Sequence, residues 1–265
     1  MDSKHWPLRG LGLRVLDLER SVAYYQRLGL RLLDSDQFGA RFGFAASPDG
    51  SGEPVLSLRR LDQGRPRPER AAGLFHFALL LPNAERLGGF LLRCAELGIP
   101  LDGASDHLVS QALYLSDPEG NGIEVYADRP SESWTWHGDR IAMATLPLDL
   151  DRLMDGASEV LAEFPAGSRL GHMHITSGDI DRSFDFYREL GMDLTANWGP
   201  FRFASWNGYH HHLGLNLLRG PGASRVADES AGIDFFTISR PGLEPGELVD
   251  PDGIPVRIDA PATSV

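Results

Sequence analysis

Three residues that are far apart in the chain are suited to bind one metal ion. His76 lies within the apolar run LFHFALLL, Glu124 within GIEVY, and His172 within GHMHITS. A histidine or a glutamate on an apolar strand is costly to bury unless it is hydrogen-bonded, paired or bound to a metal. Two imidazoles and one carboxylate, without a thiolate, match the ligand set of mononuclear non-haem iron, which leaves coordination positions open. These residues are the candidate metal ligands.

Each candidate has a simpler explanation when it is taken alone. His76 fits a hydrogen-bonded histidine of the core, and Glu124 fits a partly exposed residue at a sheet edge. The spacing of the two histidines from the Asn or Asp that follows each of them favours a shared site. His76 lies seven residues before Asn83, and His172 lies seven residues before Asp179. His174 would share the face of His172, so it stays open as an alternative ligand.

Internal repeats provide the elements that must position these residues. The segments LGLRVLDLERSVAYYQRLGLRLL (11–33) and MHITSGDIDRSFDFYRELGMDLT (173–195) each read as a strand, an aspartate, an amphipathic helix and a glycine. Weaker copies begin at Gly73 and Gly232. The pattern predicts an α+β protein with four βαβββ units, near 8–61, 73–130, 170–219 and 231–260.

The fourth unit is expected to be truncated, because SRPGLEPGELV is short and has two prolines where a helix would lie. We predict an N-terminal module over 1–130, a connector over 131–169 with a short helix, and a C-terminal module over 170–265. Each module would form a half-barrel. A connector of that length usually packs on the body or carries function.

Only the second and third units have possible metal ligands at the repeat positions of His76, Glu124 and His172. Gly10 stands where the third unit has His172, and PVLSLRRL, the last strand of the first unit, offers no obvious ligand. In the fourth unit, Phe235 aligns with His76 and Arg257 with Glu124. An arginine at that position would repel a cation. We therefore expect units 2 and 3 to pair around the metal and units 1 and 4 to be metal-free.

The segment GYHHHLGLNLL is predicted to be the last strand of the third unit. Strict alternation would place its leucines on one face and His210, His212 and Asn216 on the other, with His211 beside the leucines. A surface tract that scavenges metals is an alternative explanation of the three histidines. Trp198, together with Trp206 and Tyr209, would be available to line an aromatic pocket, although core packing is the better explanation for any single ring.

Composition excludes several classes of function. The 265 residues include 25 basic and 37 acidic side chains, for a net charge of −12. Nucleic acids and anionic membranes would require a basic face. No stretch approaches the ~20 apolar residues of a membrane span. The start MDSKHWPLRG has no apolar signal region, and Cys94 is the single cysteine, so we expect a cytoplasmic protein without disulfides.

Four segments together carry a resemblance to a known family. They are GLFHFALLLP, SDHLVSQALYLSDPEGNGIEVYADRP, LGHMHITSGD and GYHHHLGLN. The chain resembles the vicinal-oxygen-chelate superfamily of glyoxalases, bleomycin-resistance proteins and extradiol dioxygenases, and within it the catechol 2,3-dioxygenase branch of bacilli and relatives. The turn DPEGNGIEVY is common across the superfamily, whereas the longer string around it is far more specific.

The resemblance implies roles for individual residues. It makes His172, His76 and Glu124 the metal ligands, and it places an acid–base histidine in an HH pair. We assign that role to His212, with its neighbour His211 as the alternative. Two residues that would hydrogen-bond the bound substrate complete the expected site: His107 and Tyr114.

The implied reaction is extradiol cleavage of a catechol by dioxygen to a muconic semialdehyde, with Fe(II) or Mn(II) as the metal. The expected partners are therefore a small aromatic diol and dioxygen, and a homo-oligomer is expected. Better-known relatives draw these residues from their third and fourth units, whereas here they come from the third and second. Two alternatives stay open: a glyoxalase-like lyase or isomerase with His212 as a fourth ligand, and a non-catalytic binding or resistance protein.

Overall fold

A computed structural model describes residues 6–45, 54–223 and 225–260. The predicted mixed α+β architecture is confirmed. The first two units contain the following elements: β1 (Leu8–Val15), α1 (Leu18–Leu28), β2 (Arg31–Ser35), β3 (Gly39–Gly43), β4 (Leu56–Arg60), β5 (Gly73–Leu81), α2 (Ala84–Leu97), β6 (Gly103–Asp106), β7 (Ser110–Ser116) and β8 (Gly122–Asp128).

The remaining elements follow in chain order. The connector contains a short 3-10 turn (Ser131–Ser133), β9 (Trp136–His137), β10 (Arg140–Ile141) and α3 (Leu150–Asp155). The third unit contains β11 (Arg169–Thr176), α4 (Ile180–Glu189), β12 (Asp193–Trp198), β13 (Phe201–Ser205) and β14 (Leu213–Asn216). The fourth is β15 (Gly232–Ser239), β16 (Gly246–Val249) and β17 (Pro255–Asp259), without a helix, so its truncation is confirmed.

The same cap starts the helix of each complete unit. Asp17, Asn83 and Asp179 each accept a hydrogen bond from the backbone N–H three residues on. This bond satisfies one of the free donors at a helix N-terminus. Gly29 ends α1 with a φ of 111°, a backbone conformation that favours glycine. The repeated Asp or Asn and Gly in the sequence therefore set the helix boundaries.

Two sheets carry the four units. The strand order of the seven-stranded sheet is β16-β17-β15-β1-β4-β3-β2, and that of the eight-stranded sheet is β12-β13-β14-β11-β5-β8-β7-β6. Strand β1 runs antiparallel to β15, and β11 runs antiparallel to β5. Unit 1 thus pairs with unit 4 and unit 2 with unit 3, as the distribution of polar residues predicts.

Tyrosines on two of the helices link the sheets. Tyr25 on α1 donates a hydrogen bond of 2.7 Å to Asp117 in the turn before β8, and Tyr187 on α4 donates one of 2.5 Å to Asp250 in the turn before β17. All four residues are buried. Helix α1 therefore anchors unit 1 on unit 2, and α4 anchors unit 3 on unit 4. Each sheet combines strands from both segments, residues 1–130 and 170–265. The division of the chain into two modules with these bounds stays a prediction.

The connector packs against α2 at two glycines. A Cβ atom at Gly88 would lie 2.3 Å from the backbone oxygen of Leu153, and one at Gly89 would lie 2.7 Å from that of Glu159. A larger residue at either position would push the connector away from the body. Helix α3 is the short helix expected in this segment. Among the described residues, no helix is long and apolar enough to cross a membrane.

Candidate metal centre and substrate cavity

The central strands of the eight-stranded sheet bring the predicted ligands together. Strand β5 lies between β11 and β8. His172 and Glu124 both pair with Ala78, on opposite sides of it. One row further along the sheet, His174 pairs with His76. Residues two apart on a strand share a face, so all four polar side chains point to the same side of the sheet.

Distances within this group fit a metal site. Glu124 Oε2 lies 3.1 Å from Nε2 of His76 and 3.1 Å from Nε2 of His172. Cis ligands of an octahedral ion with bonds of about 2.1 Å would be separated by about 3 Å. The Nε2 atom of His76 is buried and has no hydrogen-bond partner among the described residues. This orphaned nitrogen is what a metal ligand requires, and the donor set suits a divalent cation.

The protonation states of these groups also suit a ligand set. Burial raises the pKa of Glu124, but the nearby His172 and His76 outweigh it and hold the pKa well below the ordinary value. Burial lowers the pKa of His172 to about 4, against an opposing effect of Glu124. The carboxylate is therefore ionised and the imidazole neutral at pH 7. Ligands must be in these forms before they bind a cation.

His174 belongs to the same cluster but points differently. One ligand atom from each of His76, His172 and His174 lies within 4.8 Å of the others. The His174 ring stacks on that of His76 at 4.3 Å, and its Nε2 atom lies 3.2 Å from Nε2 of His211. A Cβ atom at Gly214 would lie 2.4 Å from His174 Nε2, so glycine provides the space for this ring. His174 therefore faces His211, whereas His76 and His172 face Glu124.

A cavity of about 420 Å³ opens above the cluster. His76 and Glu124 lie in its wall, and Nε2 of the buried His172 lies 3.1 Å from Glu124 Oε2. The wall is mostly apolar and aromatic, and Glu124 is its one Asp or Glu, with no Lys or Arg among the described residues. Its apolar residues are Phe75, Val109, Met143, Trp198, Phe201, Phe203 and Leu218. The space and its lining suit a small aromatic ring.

His107 and Tyr114 form a hydrogen-bonded pair at this cavity. His107 Nδ1 lies 2.7 Å from the carbonyl oxygen of Ala144, and His107 Nε2 lies 2.6 Å from the Tyr114 hydroxyl. A carbonyl only accepts, so Nδ1 carries the proton and Nε2 accepts from Tyr114. Burial, and secondly Glu124, raise the pKa of Tyr114 far above the ordinary value. The neutral phenol can thus accept a hydrogen bond from a ligand in the cavity.

The structure brings His211 to the cavity, whereas His212 points into the core. Nδ1 of His212 accepts a bond of 3.2 Å from the backbone N–H of Trp206, and its ring lies 4.8 Å from those of both Trp6 and Tyr209. Alternation does not reach these histidines, because β14 begins only at Leu213. The expectation that His212 faces the substrate therefore needs correction.

The residues that line the cavity also differ in part from those considered in the sequence. Of the three aromatic residues considered for the pocket, Trp198 lines the cavity, whereas Trp206 and Tyr209 are buried beside it. Met143 and Thr145 of the connector also line it, and no pattern in the sequence singles them out. The HH pair in the sequence indicates that one of two histidines faces the cavity. Choosing His211 over His212 requires the path of the irregular segment before β14.

The equivalent place in the seven-stranded sheet is filled by a side chain. Phe235 pairs with Gly12 just as His76 pairs with His174. A Cβ atom at Gly12 would lie 2.3 Å from the Phe235 ring, so the ring covers this glycine closely. The Arg257 guanidinium lies over the same ring, 3.5 Å from its centroid. An aromatic ring capped by a cation leaves no cation site there.

Comparison with known proteins gives one consistent result. The family described as "Glyoxalase/Bleomycin resistance protein/Dioxygenase superfamily" matches residues 8–125 and 169–245. A protein of Bacillus subtilis (strain 168) named "Catechol-2,3-dioxygenase" is 38% identical over 246 residues, which cover 89% of this chain and 84% of that protein.

Solved structures show the same fold at low sequence identity. A crystal structure of a Bacillus subtilis protein aligns with a TM-score of 0.63 at 13% identity, covering 99% of this chain and 87% of that one. Glyoxalase I from Zea mays aligns with a TM-score of 0.51 at 18% identity, covering 95% and 91% of the two chains. These likenesses concern the fold alone.

Proposed function

Because the chain belongs to the glyoxalase/bleomycin resistance/dioxygenase superfamily, we propose that it is a metal-dependent extradiol dioxygenase that converts a catechol and dioxygen to a muconic semialdehyde. The observation that carries the proposal is the convergence of His76, Glu124 and His172, with separations of 3.1 Å, at an aromatic cavity of about 420 Å³. The 38% identity to a protein named "Catechol-2,3-dioxygenase" supports the choice of reaction.

We assign the metal to His76, Glu124 and His172, and we propose Fe(II) or Mn(II), which use similar ligands. When bound, the cation would supply Lewis acidity and adjacent open positions for the catechol oxygens and dioxygen. Three protein ligands on one side leave those positions free. The orientation of His174 Nε2 toward His211 supports His172 as the second histidine ligand.

His211 is proposed as the acid–base residue in place of His212. It lies in the cavity wall, and burial lowers its pKa well below the ordinary value, so the ring is a neutral base before substrate arrives. Nε2 of His211 would accept a proton from a catechol hydroxyl and later return it to the product oxygen. The reaction adds both atoms of dioxygen to the catechol, so protons are conserved overall.

Tyr114 and His107 are proposed to orient the substrate. The Tyr114 proton is directed to His107, which leaves a phenol lone pair to accept from a catechol hydroxyl. Ala144 holds His107 in this tautomer through the bond to Nδ1. Because the described residues of the cavity wall include no Lys or Arg, catechols with apolar substituents are the proposed substrate class rather than catechol carboxylates.

A second candidate is a glyoxalase-like lyase or isomerase with four protein ligands. The cluster of His76, His172 and His174 favours it, because His174 lies near enough to serve as the fourth ligand that His212 cannot provide. Such an enzyme would turn over a hemithioacetal under nitrogen, whereas the proposed dioxygenase consumes oxygen.

Anaerobic loading with Fe(II), followed by catechol and then air, tests the proposal. We expect a yellow ring-opened product and the uptake of about one O₂ per catechol. Isomerisation of a hemithioacetal without oxygen uptake would favour the second candidate. Binding of catechol without turnover, at less than about a tenth of an equivalent of metal, would favour a binding or resistance protein. The cytoplasmic location and the homo-oligomer stay predictions.

A further inference from the structure

We infer that Asp128 and His210 are positioning residues that set which ring nitrogen of His211 carries a proton. The inference rests on the proposed function where it concerns catalysis, and on the described contacts where it concerns the proton. His210 Nε2 lies 3.0 Å from Asp128 Oδ1, and His210 Nδ1 lies 2.7 Å from His211 Nδ1. The three residues form a chain from the edge of β8 to the cavity.

The carboxylate at the end of the chain sets the direction of these hydrogen bonds when the His210 ring carries a single proton. An ionised carboxylate only accepts, so His210 Nε2 carries a hydrogen. With its single proton on Nε2, the His210 ring accepts at Nδ1, and the hydrogen between the two rings then belongs to His211 Nδ1. The Nε2 atom of His211 is consequently left with its lone pair. That nitrogen accepts a hydrogen bond from Nε2 of His174, 3.2 Å away in the wall of the cavity, and a substrate hydroxyl would take the place of this donor.

The surroundings hold this chain rigidly. His210 is fully buried, and its ring lies 4.0 Å from that of Tyr209. The Tyr209 hydroxyl donates to both Asp128 oxygens, at 3.0 and 3.1 Å, which fixes the carboxylate. Asp128 lies on β8 four residues after Glu124, so one strand carries both a proposed metal ligand and the end of the chain. The Asp128 side chain keeps 24% of its surface exposed.

The arrangement has the logic of a catalytic triad, in which a carboxylate selects the histidine tautomer. A merely structural ion pair between Asp128 and His210 would stabilise the fold but would leave the His211 tautomer undetermined. The tautomer is therefore the property that separates a positioning role from a structural one.

Nitrogen-15 NMR on the full chain labelled at histidine, with diamagnetic Zn²⁺ added, measures the tautomer without any turnover. His211→Gln identifies the His211 resonances. We expect the Nδ1–H form of His211 in the wild-type protein. Detection of the Nε2–H form there would overturn the inference, whatever the enzyme does. Because this result needs no activity, failure of the inference is distinguishable from failure of the proposed function.

Asp128→Asn tests the cause. Its amide can donate to His210 Nε2, which would reverse both protons and convert His211 to the Nε2–H form. We then expect kcat for catechol to fall by about 10²–10⁴-fold at unchanged metal content, while Asp128→Glu restores the tautomer and part of kcat. Asp139→Asn, the same change at an exposed position of the connector, is the matched control. An unchanged tautomer in folded Asp128→Asn protein, or an equal loss of kcat in Asp139→Asn, would contradict the inference.

Discussion

The Glu124 carboxylate lies 3.1 Å from Nε2 of His172, although 48 residues separate them along the chain. They meet because β8 and β11 flank β5, which brings both residues into one row with Ala78. His76 completes the group from the middle strand at the same distance of 3.1 Å. The candidate site therefore depends on the pairing of two repeats rather than on any local motif.

Glu124→Gln should weaken metal binding by more than about tenfold and abolish ring cleavage. The amide has nearly the same shape and can still bond His172 Nε2, but it lacks the negative charge that offsets the cation. Metal analysis after desalting and a thermal unfolding curve measure the two effects separately. Glu96→Gln, at an exposed position of α2, is the matched control. Full metal content in Glu124→Gln protein would remove Glu124 from the ligand set.

His211→Ala should impair turnover, whereas His212→Ala should impair stability. The first should lower turnover by about 10²–10⁴-fold at unchanged metal content, because it removes the acid–base group from the cavity. The second should lower the unfolding free energy by about 1–3 kcal/mol, because the buried N–H of Trp206 loses its acceptor. Steady-state kinetics, metal analysis and urea unfolding of both variants test the assignment. Metal loss in His211→Ala would identify His211 as a ligand instead.

Substrate preference should follow from a cavity wall whose described residues include no Lys or Arg. We expect 4-methylcatechol to be cleaved much faster than 3,4-dihydroxybenzoate, since the carboxylate would have no partner there. Thr145→Lys, at the exposed rim, should improve kcat/KM for the carboxylate substrate by about 2–5-fold, as a partly screened ion pair allows. Thr145→Gln controls for size. Equal rates for the two substrates in the wild-type protein would contradict this account.

Acid should destabilise the metal-free protein from about pH 6.5 downwards. Burial lowers the pKa values of His174, His211 and His212 well below the ordinary value and that of His172 to about 4. The unfolded state therefore binds more protons between these values and 6.5, so stability falls as pH falls. Each histidine lowers the unfolding free energy by at most about 1.4 kcal/mol for each unit that the pH falls.

His212→Asn isolates one of these contributions. The amide oxygen can replace Nδ1 as the acceptor for Trp206 N–H, but it does not titrate. Urea unfolding of metal-free protein at pH 7.5, 6.5 and 5.5 should show a shallower loss of stability than in the wild type. His137→Asn, at an exposed position, is the control. An unchanged slope in His212→Asn would show that His212 is not the buried neutral group described.

Much of the architecture follows from the sequence alone. Repeated aspartate or asparagine caps, glycine stops and strand alternation locate the complete units, because these signals depend on local backbone geometry. The replacement of His76 and Glu124 by Phe235 and Arg257 in the fourth unit identifies the half without a metal. The same comparison between repeats predicts which units pair.

Only the tertiary structure decided which of two adjacent histidines faces the cavity. His211 and His212 precede β14 in an irregular segment, where the period of two that orders a strand does not apply. The bonds of Asp128 to His210 and of Ala144 to His107 likewise join parts of the chain that share no motif. Such contacts depend on how separate elements pack, and no local pattern of residues determines which distant residues meet.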